Sequence, residues 1–136
     1  MESLTGSCLC GRITYTVHDR FEHFHLCHCI QCQKATGSAH ASNLFIKPEY
    51  FVWETGAELV KRFDVPNRAI SQAFCPECGS GLPYLTLSGS NLMVIPAGTL
   101  DNAPTIRPKN HIFWGERASW YDDVPSAETY QDFPPS

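Results

Sequence analysis

The sequence has no long apolar stretch and few signals for long helices. No part of its 136 residues approaches the 18 consecutive apolar residues that indicate a membrane-spanning helix, so we expect no membrane partner. The first residues, Met1 to Thr5, lack the basic and apolar regions of a secretory signal peptide. These absences predict a cytoplasmic protein.

The chain also lacks an excess of basic residues. It has 10 lysine and arginine residues against 14 aspartate and glutamate residues, which gives a formal net charge of -4. Because proteins that bind nucleic acids usually present a basic face, this balance predicts no nucleic-acid partner. Nothing in the composition specifies an oligomeric state.

The rest of the composition is that of a folded chain. Hydrophobic residues make up 43% and aromatic residues 12%, which excludes the composition typical of disordered proteins. A length of 136 residues fits one hydrophobic core, so we expect a single domain over residues 1–136. The tail from about residue 122 carries Pro125, Pro134 and Pro135, and we expect it to lie at the periphery.

Short alternating segments dominate the pattern along the chain. Ile13, Tyr15 and Val17, for example, alternate with polar residues, as in a half-buried strand. The predicted strands are residues 12–17, 21–26, 43–46, 51–53, 59–63, 69–74, 82–87 and 92–95. A turn or two of helix is predicted near residues 29–35. The sequence therefore predicts a mainly β fold of packed antiparallel sheets with few short helices.

Cysteine is the residue type that the sequence uses most distinctively. There are seven cysteines, an odd number that excludes complete disulfide pairing within one chain. Disulfides persist mainly in secreted proteins, so clustered cysteines in a cytoplasmic chain favour metal binding. The cysteines fall into three groups: Cys8 and Cys10; Cys27, Cys29 and Cys32; Cys75 and Cys78.

Residues 75–79 read Cys-Pro-Glu-Cys-Gly, which is a zinc-knuckle pattern. The two-residue spacer lets both thiolates face one metal, and Gly79 permits the tight turn behind them. A structural zinc ion takes four ligands. Cys8 and Cys10, followed by Gly11 at a predicted turn, are the natural second pair. We refer to Cys8, Cys10, Cys75 and Cys78 as the four-cysteine cluster.

The remaining cysteines, Cys27, Cys29 and Cys32, form the three-cysteine cluster. Three thiolates leave one position of a tetrahedral zinc ion open, and three protein ligands with one exchangeable ligand is the pattern of catalytic zinc. An all-sulfur ligand set is soft and suits a further thiolate. The sequence thus predicts two zinc ions per chain, one structural and one catalytic.

Several alternatives remain open on the residues alone. A histidine among His25, His28 and His40 could close the second site. The chain could instead hold one zinc ion and leave three cysteines without a metal. A redox role for Cys75 and Cys78 is a further reading.

Three ordered cysteine groups and a C-terminal segment make the chain resemble a known family. The chain is similar to the glutathione-dependent formaldehyde-activating enzymes, a family that includes the centromere protein V type of domain. The matching segments are residues 6–11 (Gly-Ser-Cys-Leu-Cys-Gly), 27–32 with 35–37, 74–79, and 108–112 with Trp120.

The resemblance implies a fold of packed antiparallel sheets called a β-tent. It implies a structural zinc ion on the four-cysteine cluster and a catalytic zinc ion on the three-cysteine cluster. It also implies a carbon–sulfur lyase that makes or breaks S-hydroxymethylglutathione, with glutathione as the small-molecule thiol partner. The alternatives are a non-catalytic, zinc-stabilised binding module and a redox or metal sensor.

Candidates for substrate binding follow from the charge of glutathione. Its two carboxylates require lysine or arginine near the site. Lys34 lies close to the three-cysteine cluster in sequence, and His111 lies in the family-like closing segment. Arg12 is also near the cysteine motifs in sequence. Further cations could reach the site in three dimensions: Arg62, Arg68, Arg107 and Lys109.

Overall fold

The computed structural model describes residues 2–135 as eleven strands, one α-helix and five 3₁₀ helices. The strands are β1 (Ser3–Ser7), β2 (Thr14–His18), β3 (His23–Cys27), β4 (Ala41–Ile46), β5 (Phe51–Thr55), β6 (Lys61–Asp64), β7 (Ser71–Phe74), β8 (Gly81–Leu82), β9 (Tyr84–Leu85), β10 (Met93–Pro96) and β11 (Asn110–Ile112). The helix α1 spans Ile30–Thr36. The 3₁₀ helices are Pro48–Tyr50, Ala57–Leu59, Ala97–Thr99, Trp114–Glu116 and Ser119–Ser126.

The strands form three sheets, and the prediction of a mainly β fold with packed antiparallel sheets is confirmed. The sheets have the strand orders β1-β2-β5, β11-β3-β4-β10-β9 and β6-β7-β8. Neighbouring strands pair antiparallel except β11, which runs parallel to β3 and places His111 opposite Leu26 and Ile112 opposite Cys27. The closing segment of the chain therefore returns to the strand that ends at the three-cysteine cluster.

The structure differs from the predicted strands at three places. It adds β1 and β11, which the alternation did not reveal because β1 contains Gly6 and β11 has only three largely exposed residues. It also divides the predicted strand 82–87 into β8 and β9. Pro83 lies between them, and a proline has no backbone N–H for a sheet ladder.

The helix α1 begins and ends as its sequence directs. The Sγ atom of Cys29 caps the first turn by accepting a hydrogen bond from the Cys32 amide. Gly37 ends the helix with a φ of 64°, a left-handed conformation that glycine adopts without steric cost, and its amide donates to the Gln33 carbonyl. The predicted helical turn near residues 29–35 is confirmed.

Each cysteine cluster is part of its own apolar core. The largest core lies between the sheets and includes Tyr15, Val17, Leu44, Ile46 and Ile95. A second core joins Cys8 and Cys75 to Ile13, Ala73 and Leu82, and a third joins the three-cysteine cluster to Ala41. Apolar packing thus holds every cysteine except Cys10, which is exposed.

Two remaining features concern the periphery. Every residue from 122 to 135 is exposed. Among residues 2–135, no helix has the length and apolar character needed to span a bilayer.

Candidate metal centres

Two similar turns build the four-cysteine cluster. After β1, the Gly11 amide donates a 3.1 Å hydrogen bond to the Cys8 carbonyl, and Gly11 has a φ of 80°. After β7, the Gly79 amide donates a 2.7 Å hydrogen bond to the Cys75 carbonyl, and Gly79 has a φ of 78°. Each glycine reverses the chain behind a cysteine pair, as the sequence predicted.

The sulfur atoms of this cluster lie where one metal ion can contact all of them. The four Sγ atoms are within 4.8 Å of one another. The Sγ atom of Cys10 is 3.6 Å from that of Cys8 and 3.8 Å from that of Cys75. A tetrahedral zinc ion with Zn–S bonds of about 2.3 Å requires sulfur atoms about 3.8 Å apart. The geometry therefore fits zinc.

Ser80 joins the two turns, and the cysteine spacing gave no signal for it. Its Oγ atom accepts a 2.8 Å hydrogen bond from the Leu9 amide and lies 3.2 Å from the Sγ atom of Cys78. Hydrogen bonds from Ser80 lower the pKa of Cys78 to about 5, which favours the thiolate that a metal binds. A serine directly after the glycine of a knuckle is the sequence feature that could have indicated this contact.

The three-cysteine cluster lies at the junction of a strand and a helix. Cys27 ends β3, Cys29 caps α1, and Cys32 is in the first turn of α1. All three residues are buried, with 4 to 7% of their surface exposed, and their Sγ atoms lie within 4.8 Å of one another. None of the seven cysteines of the chain forms a disulfide.

Two thiols of this cluster have pKa values shifted in opposite directions. The hydrogen bond from Cys32 lowers the pKa of Cys27 to about 6, and that same interaction with Cys27 raises the pKa of Cys32 well above its ordinary value. The low pKa of Cys27 favours one thiolate, and the high pKa of Cys32 opposes a second negative charge beside it. A divalent cation would stabilise the thiolates of such a cluster. Its three sulfur donors fit zinc.

No histidine or carboxylate of residues 2–135 completes the three-cysteine cluster as a fourth ligand. The three histidines that could have closed the site have other neighbours. The Nδ1 atom of His25 lies 2.5 Å from Oδ1 of Asn110, and Nδ1 of His40 lies 3.3 Å from Oγ of Ser42. The structure therefore does not support the histidine-closed alternative.

The third of these histidines is His28, which stands between Cys27 and Cys29 in the sequence. Its side chain is fully buried. Its Nε2 atom lies 2.9 Å from Nδ1 of His111. The rings of His40, Trp114 and Tyr121 surround it at centroid distances of 4.9, 5.1 and 4.8 Å. Burial lowers the pKa of His28, and charges on His40 and His111 lower it further, which favours a neutral imidazole.

The segment after β11 is fastened to the start of α1. The Ile30 amide donates a 3.0 Å hydrogen bond to Oε1 of Glu116. The Gln33 side-chain amide donates to the carbonyls of both His28 and Glu116, at 2.8 and 3.0 Å. The resemblance drew attention to Trp120 in this segment, but no cysteine or glycine motif there indicated the contact of Glu116 with α1.

A cavity of about 260 Å³ lies against the three-cysteine cluster and is lined by all three of its cysteines. Its other walls are largely apolar, and Arg68 stands among the lining residues. Lys34, a sequence candidate for substrate binding, instead lines a second cavity of about 330 Å³ with Ile30 and Phe63, which shares Gln31 and Ile70 with the first. His111 is absent from the lining of both cavities and lies against His28.

Comparison with known proteins gives structural neighbours and one family. A crystal structure of a Rhodobacter sphaeroides protein superposes with a TM-score of 0.59 at 19% sequence identity, covering 79% of this chain and 98% of that chain, so the two share a fold. No curated protein matches the chain. The family model described as glutathione-dependent formaldehyde-activating enzyme matches residues 3–116, and the chain belongs to that family.

Proposed function

We propose that this protein is a zinc-dependent carbon–sulfur lyase that acts on a thiol adduct of an aldehyde, such as S-hydroxymethylglutathione. The observation that carries the proposal is the three-cysteine cluster, three buried thiols with no fourth protein ligand within residues 2–135 and a cavity against them. In this proposal the four-cysteine cluster holds a structural zinc ion and the three-cysteine cluster holds a catalytic one.

The proposed reaction exchanges one S–H bond for one C–S bond. In the direction of synthesis, the thiol sulfur bonds to the carbonyl carbon, the carbon–oxygen π bond breaks, and the thiol proton ends on the carbonyl oxygen. No oxidant or reductant is consumed. Cleavage is the reverse, in which the hydroxyl proton returns to sulfur and the aldehyde leaves.

Different residues of the site would bind the metal ion, exclude water and hold the cysteines in position. Cys27, Cys29 and Cys32 would hold the zinc ion. A zinc ion bound there supplies Lewis acidity and lowers the pKa of a thiol in its remaining ligand position. The apolar wall residues, among them Ile70 and Ile112, keep water away from the reacting sulfur. Gln33 and Glu116 hold the start of α1, and with it the spacing of two of the three cysteines.

Exchange spectroscopy on glutathione and formaldehyde tests the proposal. We expect the metal-loaded protein to accelerate exchange between formaldehyde and S-hydroxymethylglutathione above the uncatalysed rate, and Cys29→Ser to abolish the acceleration while the protein stays folded. Metal analysis of the same samples establishes occupancy. If neither glutathione nor a simpler mercaptocarboxylate gave accelerated exchange at full occupancy, the result would contradict the enzyme proposal and favour a non-catalytic, zinc-stabilised binding module.

A further inference from the structure

The cavity at the three-cysteine cluster carries little charge. Of the residues 2–135 that line it, Arg68 is the only one with a permanent charge, and no carboxylate is among them. The other walls include Phe45, Ile70, Val94 and Phe113. A ligand that enters this cavity therefore meets one cation and a mainly apolar surface.

Arg68 is held at this cavity by the hairpin loop between β6 and β7. The Val65 amide donates to the Ile70 carbonyl at 3.1 Å, and the Arg68 amide donates to the Val65 carbonyl at 3.2 Å. Asn67 makes the turn with a φ of 63°, a conformation that asparagine tolerates better than most residues. The backbone thus presents Arg68 from a defined turn.

The Arg68 guanidinium has no carboxylate partner within the described part of the chain. Three other arginines do have one: Arg12 pairs with Glu77, Arg62 with Asp64 and Arg117 with Asp122. A guanidinium binds one carboxylate through two parallel hydrogen bonds. Arg68 is therefore available to one anionic group of a ligand.

Phe113 faces the same cavity from the segment after β11. It adopts a φ of 54°, which a bulky residue rarely does, and 55% of its surface is exposed. Backbone strain of this kind clusters at ligand-binding and active sites. An exposed aromatic ring beside the cavity supplies a surface for the apolar part of a ligand.

We propose that the thiol substrate of this protein carries one anionic group and an apolar body, with Arg68 binding the anion and Phe113 contacting the apolar part. This inference rests on the proposed function, because it places the thiol at the open position of the three-cysteine cluster. Glutathione fits the cavity less well: it has two carboxylates and an ammonium group, and the lining offers one cation and no anion. The volume of about 260 Å³ is also below the about 300–1,000 Å³ typical of drug-sized ligands.

Binding of three thiols tests the inference. The probes are 2-mercapto-3-phenylpropionate, its carboxamide, and glutathione, titrated calorimetrically into the metal-loaded protein. We expect the mercaptocarboxylate to bind about tenfold more tightly than either of the others, the effect of one charge-assisted contact. Arg68→Gln should remove the preference for carboxylate over carboxamide, and Arg68→Lys should restore part of it.

A matched control separates a local contact from a general loss of positive charge. Arg20 donates a 2.9 Å hydrogen bond to Oη of Tyr50 and lines none of the cavities described above, so Arg20→Gln should leave the preference unchanged. Phe113→Ala should weaken the binding of the aromatic thiol more than it weakens the binding of 3-mercaptopropionate. Equal binding of carboxylate and carboxamide by the unaltered protein, or tighter binding of glutathione, would overturn the inference.

Cobalt substitution distinguishes failure of this inference from failure of the proposed function. A thiolate that binds Co²⁺ at the three-cysteine cluster changes its visible absorption spectrum, whichever thiol supplies it. If every thiol changed the spectrum, and Arg68→Gln did not alter the order of their affinities, only the substrate class would be overturned. No spectral change with any thiol would overturn the open site and the inference together.

Discussion

The Sγ atom of Cys10 lies 3.8 Å from that of Cys75, although the two residues are 65 positions apart in the chain. One belongs to the turn after β1 and the other to the turn after β7, which are strands of different sheets. A metal ion bound to the four-cysteine cluster would therefore link two sheets. Loss of one ligand should release this link.

Cys75→Ser is expected to unfold the protein. Cys75 is fully buried, and binding of a structural zinc ion contributes about 10 kcal/mol or more to folding at neutral pH. Circular dichroism and one-dimensional NMR of the purified variant would show loss of tertiary structure and of metal. A folded variant that retains its metal would contradict the structural role.

Cys29→Ser is expected to leave the protein folded with one metal ion per chain. The three-cysteine cluster lies at one strand–helix junction, so its loss disturbs local structure and leaves the other sheets joined. Metal analysis should give two zinc ions for the unaltered protein and one for the variant. A reproducible value of one for the unaltered protein would remove the two-site proposal.

Gly6→Ala is expected to destabilise the fold by about 1–3 kcal/mol, as overpacked cores do. Gly6 pairs with Tyr15 across β1 and β2, and an added Cβ atom would overlap the Tyr15 ring. Gly98→Ala is the control, because an added Cβ there meets no atom within 4 Å. Urea denaturation of both variants measures the difference, and equal stability would contradict the close packing at Tyr15.

The stability of the protein should decrease at alkaline pH through Tyr15. Burial raises the pKa of Tyr15 from 10.0 to about 12, against a hydrogen bond with Thr99 that lowers it. The pKa of Tyr15 is higher in the folded state than in the unfolded state. The stability that the protonated Tyr15 hydroxyl contributes is therefore complete below pH 10 and is lost as pH rises towards 12. The free energy of unfolding should fall by about 1.4 kcal/mol by pH 11 from this group.

Tyr15→Phe isolates that effect, since other groups also titrate in this range. The variant should lose less stability than the unaltered protein between pH 9 and pH 11, by about 1.4 kcal/mol in urea denaturation. Parallel pH profiles for the two proteins would show that the Tyr15 hydroxyl is not buried as described.

Gln33→Ala should loosen the segment after β11. The Gln33 side chain donates to the carbonyl of His28, which precedes α1, and to the carbonyl of Glu116, in the segment after β11. Each such hydrogen bond contributes about 1 kcal/mol. Hydrogen exchange should quicken for residues 114–121, and Lys34→Ala, on the next helix position, is the control. Unchanged exchange in Gln33→Ala would show that other contacts hold the segment.

Much of the fold was predictable because local patterns determine it. The alternation of Ile13, Tyr15 and Val17 indicated a strand with one buried face, and all three residues are fully buried. The strand prediction failed where local signals are weak, at β11, and where one proline interrupts the ladder, at Pro83. β11 forms because it pairs with β3, a contact between segments about 85 positions apart that alternation does not encode.

The candidate site was predictable to a smaller extent. Counting ligands divided the cysteines into four and three, and the structure brings the same two sets together. Lys34 and His111 were chosen for their closeness in sequence or motif, yet neither lines the cavity at the three-cysteine cluster. Arg68, which does line it, is 36 positions beyond Cys32 and is brought there by a hairpin of another sheet.

The sequence by itself determined the chemistry of the donors, since residue types and short spacings decide which atoms can bind one metal ion. It also determined the strands whose alternation is strong. Only the tertiary structure decided what surrounds those donors: the enclosed His28, the fastening of Glu116 to α1, and the single cation beside an apolar cavity. Such surroundings form from side chains far apart along the chain, whose approach depends on the packing of whole sheets.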